Sequence, residues 1–300
     1  MRFLFRSSLA ALAVAYAAVM LGSWTRIEGA GMTIPDWPWH PGAIVPAMSH
    51  GTVWEWTHRL LVFLLSPLVA IVIVAGWKHR KRPFVGPSTC AVAALFILQV
   101  FLGAATVRLS NSPMSVVWHW GTAMAFIASL AALAIFAKAE PRAGTASPGT
   151  DARLVAIMAT TALIAFVTMC IGAYVSSSGA GLACISIPAC AGRAITYTPG
   201  QFVQMLHRFA AAITLLAAVA AFALAWSLRA SKPVRTAASV ALALVFLQIL
   251  LGLLNVALRL PLDLREAHAA NAALTFLAFV VATMFAALDG ASDHARAVAR

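Results

Sequence analysis

Eight apolar runs constrain this chain of 300 residues more than any other feature. They lie at roughly 8–25, 52–77, 87–108, 114–138, 153–176, 201–228, 234–258 and 265–288. A bilayer core needs about 20 apolar residues per helical crossing. Lipid offers the backbone no hydrogen-bond partner, so each run must be a helix. The chain is 62% hydrophobic and only 10% charged, too apolar for any soluble interior to hide. The expected class is therefore an all-α integral membrane protein with eight transmembrane helices.

The net charge of +12 raises nucleic acid as a partner. Its distribution argues instead for topology. With the N-terminus inside, 14 of the 21 Lys and Arg fall on inner segments, including the run Lys78–Arg82 and the stretch Arg229–Arg235. That bias follows the positive-inside rule and puts both termini in the cytoplasm of a cell-membrane protein. No basic-aromatic pattern calls for nucleic acid. Arg2 and Arg6 ahead of the first run resemble a signal peptide, but no small-residue cleavage site follows, so the span is expected to be retained.

The eight runs are two sets of four. His58-Arg59 recurs 149 positions later as His207-Arg208, and His119 recurs as His268. At the same offset Leu98-Gln99 matches Leu247-Gln248, Gly103 matches Gly252 and Val107 matches Val256. At an offset of 150, Gly29-Ala30-Gly31 matches Gly179-Ala180-Gly181, Pro38 matches Pro188 and Gly42 matches Gly192. So uniform a shift indicates internal duplication. Four crossings return the chain to its starting side. The halves are thus expected to be four-helix bundles related by a pseudo-two-fold axis along the membrane normal. The expected division is 1–140, a Pro/Gly/Ser-rich cytoplasmic linker at 141–150, and 151–300. The polar tail after Leu288 is expected to fray. The outer connections 26–51 and 177–200 are long, and loops of such length are often functional.

This topology places His58, His119, His207 and His268 near the outer ends of the second and fourth spans of each half. Ionisable residues inside a membrane are costly and usually functional. Two histidines on facing helices of one bundle can ligate one haem iron from both sides. The bland reading, a buried histidine bonded to backbone or water, suits one such residue better than two duplicated pairs. Zinc fits less well, because each half offers two histidines and no nearby thiolate or second carboxylate. His40, His50, His79 and His294 have no repeat partner and read as loop, solvated or tail histidines.

Glu55 precedes His58 by three residues and shares its helical face. Its counterpart before His207 is Gln204, so only the first half keeps a titratable group. A carboxylate beside a haem edge can relay protons, stabilise a developing cation or orient an oxygen species. The first half then reads as the reaction site and the second as a permanent redox haem. The plain alternative for Glu55 is an interfacial acid paired with Arg59 or water. Arg59 and Arg208 either pair with haem propionates or snorkel to headgroups. Trp54, Trp56, Trp118 and Trp120 suit an interfacial belt, and Gly103 and Gly252 suit close helix packing. Cys184 and Cys190, on the oxidising outer side, are expected to form a disulfide that staples the second-half loop, with a redox-active thiol pair as the alternative. Cys90 and Cys170 read as small buried hydrophobes.

Taken together, the eight spans, Glu55-x-x-His58-Arg59, Gln204-x-x-His207-Arg208, His119 and His268 resemble the haem A synthase family over nearly the whole chain. In that family a ring methyl of haem O is oxidised to the formyl group of haem A. The resemblance implies that His58 and His119 hold the substrate haem, that His207 and His268 ligate a haem B cofactor, and that Glu55 is the essential acid. Successive hydroxylations would give a gem-diol that dehydrates to the aldehyde, for use in cytochrome oxidase. A haem O synthase and an electron-transfer protein are the implied partners; the oligomeric state is left open, self-association included. One departure concerns the cysteine pair that many bacterial members carry in the first outer loop. Here Ile34 and His40 stand opposite Cys184 and Cys190. The competing readings are a di-haem b-type electron-transfer cytochrome and, last, a repeat-built transporter.

Overall fold

The computed structural model describes residues 1–34, 36–37, 45–139, 152–190 and 198–298, with side chains described as far as Asp289. Its regular elements are helices: α1 (Arg2–Ile27), α2 (His50–Lys78), α3 (Val85–Arg108), α4 (Pro113–Lys138), α5 (Ala152–Ser177), α6 (Pro199–Ser227), α7 (Lys232–Ala257) and α8 (Leu262–Val298). A single 3-10 turn, Ala180–Leu182, follows α5. Each of the eight has the length and apolarity to cross a membrane. The expected linker 141–150 lies outside the described residues, as do Pro38, His40, Gly42, Gly192 and Arg193.

Local chemistry sets the helix ends. Ser49 caps α2, its hydroxyl accepting from the Thr52 N–H at 3.3 Å. Thr198 and Gln201 form a reciprocal capping box at the start of α6. Proline opens α4, α6 and α7, where its missing N–H costs nothing. The α3–α4 and α7–α8 turns are built alike. Ser110-Asn111 and Arg259-Leu260, counterparts in the repeat, are all left-handed. The Asn111 N–H bonds Thr106 O at 2.8 Å, as the Leu260 N–H bonds Asn255 O at 2.7 Å.

The packing pattern also recurs. In the first half α1 touches α2 and α4, while α3 touches α2 and α4; in the second, α5, α6, α7 and α8 make the same ring. The rings meet through α4–α5, α4–α8 and α1–α8. Accordingly α4 is the most buried helix, carrying Met124, Ile127, Leu130 and Leu133 into the centre, whereas α3 and α7 are largely outward-facing. Helices in lipid gain no hydrophobic drive towards each other, so close approach relies on small residues. Ala11, Ala15 and Ala18 on α1, and Ala218, Ala221 and Ala225 on α6, supply such buried stripes. At the junction of the rings the Arg26 guanidinium donates to the Ser176 hydroxyl at 3.1 Å. These two residues are each other's repeat counterparts at an offset of 150.

Three sequence expectations are corrected. The segment after Leu288 does not fray at once; α8 continues to Val298. It is rich in alanine, the best helix former, and meets no proline. His50 is the first residue of α2 rather than a loop residue, and its Nδ1 lies 3.3 Å from the Glu28 carboxylate. Cys90 is exposed on the outward-facing helix α3, not buried, because the face of α3 that carries it has no helix against it.

Candidate functional site

His58 (α2) and His207 (α6) are held by the same device. The His58 Nδ1 lies 2.9 Å from Ala18 O, and the His207 Nδ1 lies 3.2 Å from Thr168 O. A carbonyl only accepts, so each imidazole carries its proton on Nδ1 and presents Nε2 as a lone pair. That is the tautomer a metal ligand needs, fixed by the hydrogen bond made by the other nitrogen. The carbonyls are reachable because of glycine. Gly22 and Gly172 stand four residues beyond Ala18 and Thr168, one helical turn on, where a side chain would cover the carbonyl. A Cβ on Gly22 would sit 2.7 Å from His58 Cε1, and one on Gly172 would sit 2.9 Å from His207 Cε1.

His119 (α4) and His268 (α8) also rest against glycines, but more loosely. A Cβ on Gly103 would lie 3.3 Å from His119 Cε1, and one on Gly252 would lie 3.2 Å from His268 Cε1. These two glycines thus make room for imidazole rings, a sharper role than general helix packing. A glutamine from the preceding helix meets each ring. Gln99 Nε2 lies 3.1 Å from His119 Nδ1, and Gln248 Nε2 lies 3.1 Å from His268 Nε2. His268 Nδ1 is enclosed without a partner.

Two of the candidate histidines stand side by side in the second half. The His207 and His268 ring centroids are 6.3 Å apart with planes at 73°. Two imidazoles on one metal at bonds of about 2.0–2.1 Å would have centroids separated by roughly 6 Å. His58 and His119 are close enough to interact electrostatically. Among the described residues no three His, Cys, Asp or Glu side chains converge as a bare-metal cage. A two-imidazole site suits a metal whose other ligands come with it, as in a porphyrin.

Beside His58 and His207 the loop that precedes each of their helices is pinned by paired contacts. Glu55 is buried; its Oε2 accepts from the Thr33 hydroxyl and the Ile34 N–H, each at 2.8 Å, and its Oε1 from Arg59 at 2.6 Å. Gln204, also buried, accepts from the Cys184 N–H and donates to Gly181 O at 2.7 Å. Arg59 donates to Ile34 O at 2.6 Å and to Asp36 O. Arg208 donates to Cys184 O and Ser186 O, each at 2.6 Å, and to Pro188 O at 3.1 Å. Ile34 and Asp36 are the counterparts of Cys184 and Ser186, so one clamp is built twice. Both arginines are thus engaged with loop carbonyls, and Glu55 is paired with Arg59. Cys184 and Cys190 are disulfide-bonded in the second loop. Trp54 stacks edge-on against Trp24, at 6.1 Å between centroids.

Sequence reasoning did not find the acceptors Ala18 O and Thr168 O, nor Gly22, Gly172 and Asn271. The glycine pair offered a signal, since it repeats at the offset of 150. Apart from these sites, a cavity of about 260 Å³ opens between the halves, lined by Arg26, Asn111, Ser176 and Arg265 among others. None of the four paired histidines lines it.

The fold is that of an eight-span helical membrane protein whose histidines sit within the spans. Residues 6–280 match the family model described as cytochrome oxidase assembly protein, and the chain belongs to that family. It is similar to the heme A synthase of Bacillus licheniformis, at 30% identity over 83% of this chain and 84% of that one. It is also similar to those of Shewanella oneidensis, at 26% identity over 89% and 92%, and Shouchella clausii, at 30% over 80% and 80%.

Proposed function

We propose that this protein oxidises a ring methyl of haem O to the formyl group of haem A. The first half, 1–140, is the substrate side and the second, 151–300, the cofactor side, with 141–150 joining them in the cytoplasm. The observation that carries this reading is a duplicated histidine pair beside which only one half keeps a carboxylate, Glu55 against Gln204.

His58 and His119 hold the substrate haem, and His207 and His268 hold haem B. Haem B, when bound, supplies a one-electron redox centre within the same protein. The chain's own residues do the rest. Ala18 O and Thr168 O hold the Nδ1 protons and so aim Nε2 of His58 and His207 at the iron. With water as the oxygen source and the electron-transfer partner taking two electrons per hydroxylation, each hydroxylation releases two protons; Glu55 would accept a proton as the methyl becomes a hydroxymethyl and then a gem-diol, which loses water to give the aldehyde. Arg59 pairs with this carboxylate at 2.6 Å and holds it in place. Arg59 and Arg208 hold the outer loops down over the two sites through their bonds to loop carbonyls. The sites lie towards the outer face, with both termini cytoplasmic. A haem O synthase delivers substrate and an electron-transfer partner removes reducing equivalents.

The test is to express the protein in a host that makes haem O, extract its haems in acid acetone, and weigh them after reversed-phase separation. Haem A or its hydroxylated precursor beside haem B supports the reading. Haem B alone, with haem O available, refutes it and points to a di-haem electron-transfer cytochrome.

A further inference from the structure

His119 and His268 are supported unequally. In the second half the Asn271 amide donates to Gln248 Oε1 at 2.7 Å and to Leu244 O at 2.9 Å. Gln248 in turn donates to His268 Nε2 at 3.1 Å and to His268 O at 3.0 Å. The glutamine carbonyl is therefore satisfied, and Asn271 itself is buried. In the first half the counterpart of Asn271 is Thr122, at the offset of 149. Gln99 still meets the His119 ring, at 3.1 Å, but its Oε1 is enclosed with no hydrogen-bond partner. An enclosed acceptor without a donor is costly, and in a native protein it usually awaits one. The repeat makes this instance specific, because the same glutamine in the other half has its donor built in.

On the reading of the first half as the haem O site, we infer that Gln99 Oε1 recognises a hydroxyl of the substrate porphyrin. Haem O differs from haem B in carrying a hydroxyethylfarnesyl chain in place of a vinyl group. Its hydroxyl is the one donor on that side of the molecule before any turnover. Gln99 lies nine residues inside the outer end of α3 at Arg108, roughly 13 Å along a helix axis rising 1.5 Å per residue. It therefore sits at a depth where the farnesyl tail has lipid to enter. Haem B has no hydroxyl to offer and would leave the Gln99 carbonyl bare, whereas Gln248 is already capped by Asn271. The pair Gln99/Thr122 is thus a specificity device, and Gln248/Asn271 is its silenced copy. Sites built to bond a substrate hydroxyl discriminate strongly against the analogue that lacks it.

The experiment compares two probes on purified protein whose second site holds haem B. One is iron haematoporphyrin, which bears hydroxyethyl groups and no farnesyl tail. The other is iron protoporphyrin, which has neither. Each is titrated into the first site and read by absorbance. The wild-type protein should prefer the hydroxyl-bearing probe by roughly tenfold, the scale of one well-made hydrogen bond. Thr122→Asn supplies the capping amide of the other half, and Gln99→Leu removes the acceptor. Both should abolish the preference while protoporphyrin binding survives. An unchanged spectrum of the second-site haem B reports that the fold is intact. If Gln99 serves only to steady His119, Gln99→Leu weakens both probes equally and the preference persists in Thr122→Asn; that result overturns the inference. A wild-type protein that takes neither these probes nor haem O into the first half fails earlier, at the assignment of that half as a porphyrin site.

Discussion

Replacing Gly22 or Gly172 with alanine should empty one site and leave the other intact. Carbon atoms attract best at about 3.5–4.0 Å, yet the added Cβ would stand 2.7 Å from His58 Cε1 or 2.9 Å from His207 Cε1. The ring must retreat by about 1 Å to restore that contact distance. Retreat also stretches the Nδ1 bonds to Ala18 O and Thr168 O, now 2.9 and 3.2 Å, which fix the tautomer. Overpacking of this kind costs about 1–3 kcal/mol, and a lost hydrogen bond adds about 1 kcal/mol. Since 1.4 kcal/mol is tenfold in affinity, the affected site should weaken by roughly ten- to a thousandfold. Gly103→Ala and Gly252→Ala, with contacts of 3.3 and 3.2 Å, should weaken theirs by about tenfold or less. Gly200→Ala, which would meet the Ala183 Cβ at 3.4 Å and the Ala180 Cβ at 3.6 Å, ordinary contact distances, is the neutral control. Haem content per chain and reduced-minus-oxidised spectra measure all five. Gly172→Ala with a full, spectrally normal second haem would refute the account of how His207 is aimed.

Two further outcomes follow from the clamp over each site. Glu55→Gln reproduces the amide of Gln204, which still holds its own loop, so haem content should stay near wild type while oxidation of haem O falls by roughly 10²–10⁴-fold; a variant that turns over normally removes Glu55 from the chemistry. Reducing Cys184–Cys190, or changing both to serine, should loosen the second loop by roughly 2 kcal/mol, the chain-entropy value for so short a closure. Limited proteolysis should then cut that loop sooner while oxidation continues, and loss of oxidation with haem B retained would make the pair redox-active.

The eight helices were legible because the bilayer imposes one length and one polarity on every crossing, which also leaves any polar residue within a span conspicuous. Duplication sharpened the signal by marking which histidines belong together. What stayed hidden has no side-chain signature. Ala18 and Thr168 act through main-chain oxygens, and nothing in their identity announces it. Gly22 and Gly172 looked like ordinary membrane glycines until the imidazoles were in place beside them. Arg59 and Arg208 were legible as functional positions, but their partners are carbonyls of distant loop residues. Burial of Cys90 was misjudged because composition alone does not separate a lipid-facing position from a core one: both are apolar.

On the proposed reading of one substrate half and one cofactor half, the differences at matching positions of the two halves show what each site would need. Three of them point the same way. At the loop the second half has Cys184 bonded to Cys190 where the first has Ile34 and His40. Beside His207 it has the neutral Gln204 where the first half has Glu55 beside His58, and beside His268 it has Asn271 closing Gln248 where the first half has Thr122. At each of the three positions the second half carries the neutral, cross-linked or hydrogen-bonded alternative. A resident cofactor gains from such closure, because ordering prepaid in the protein is not charged again on binding. A substrate site cannot be built that way. It must release its product, and opening for release often limits turnover. It also needs one group able to take a proton and one acceptor left bare for the group that distinguishes substrate from cofactor. By this logic, grafting the second half's features onto the first should trade turnover for retention. Thr122→Asn combined with Glu55→Gln should give a protein that holds two haems and oxidises neither.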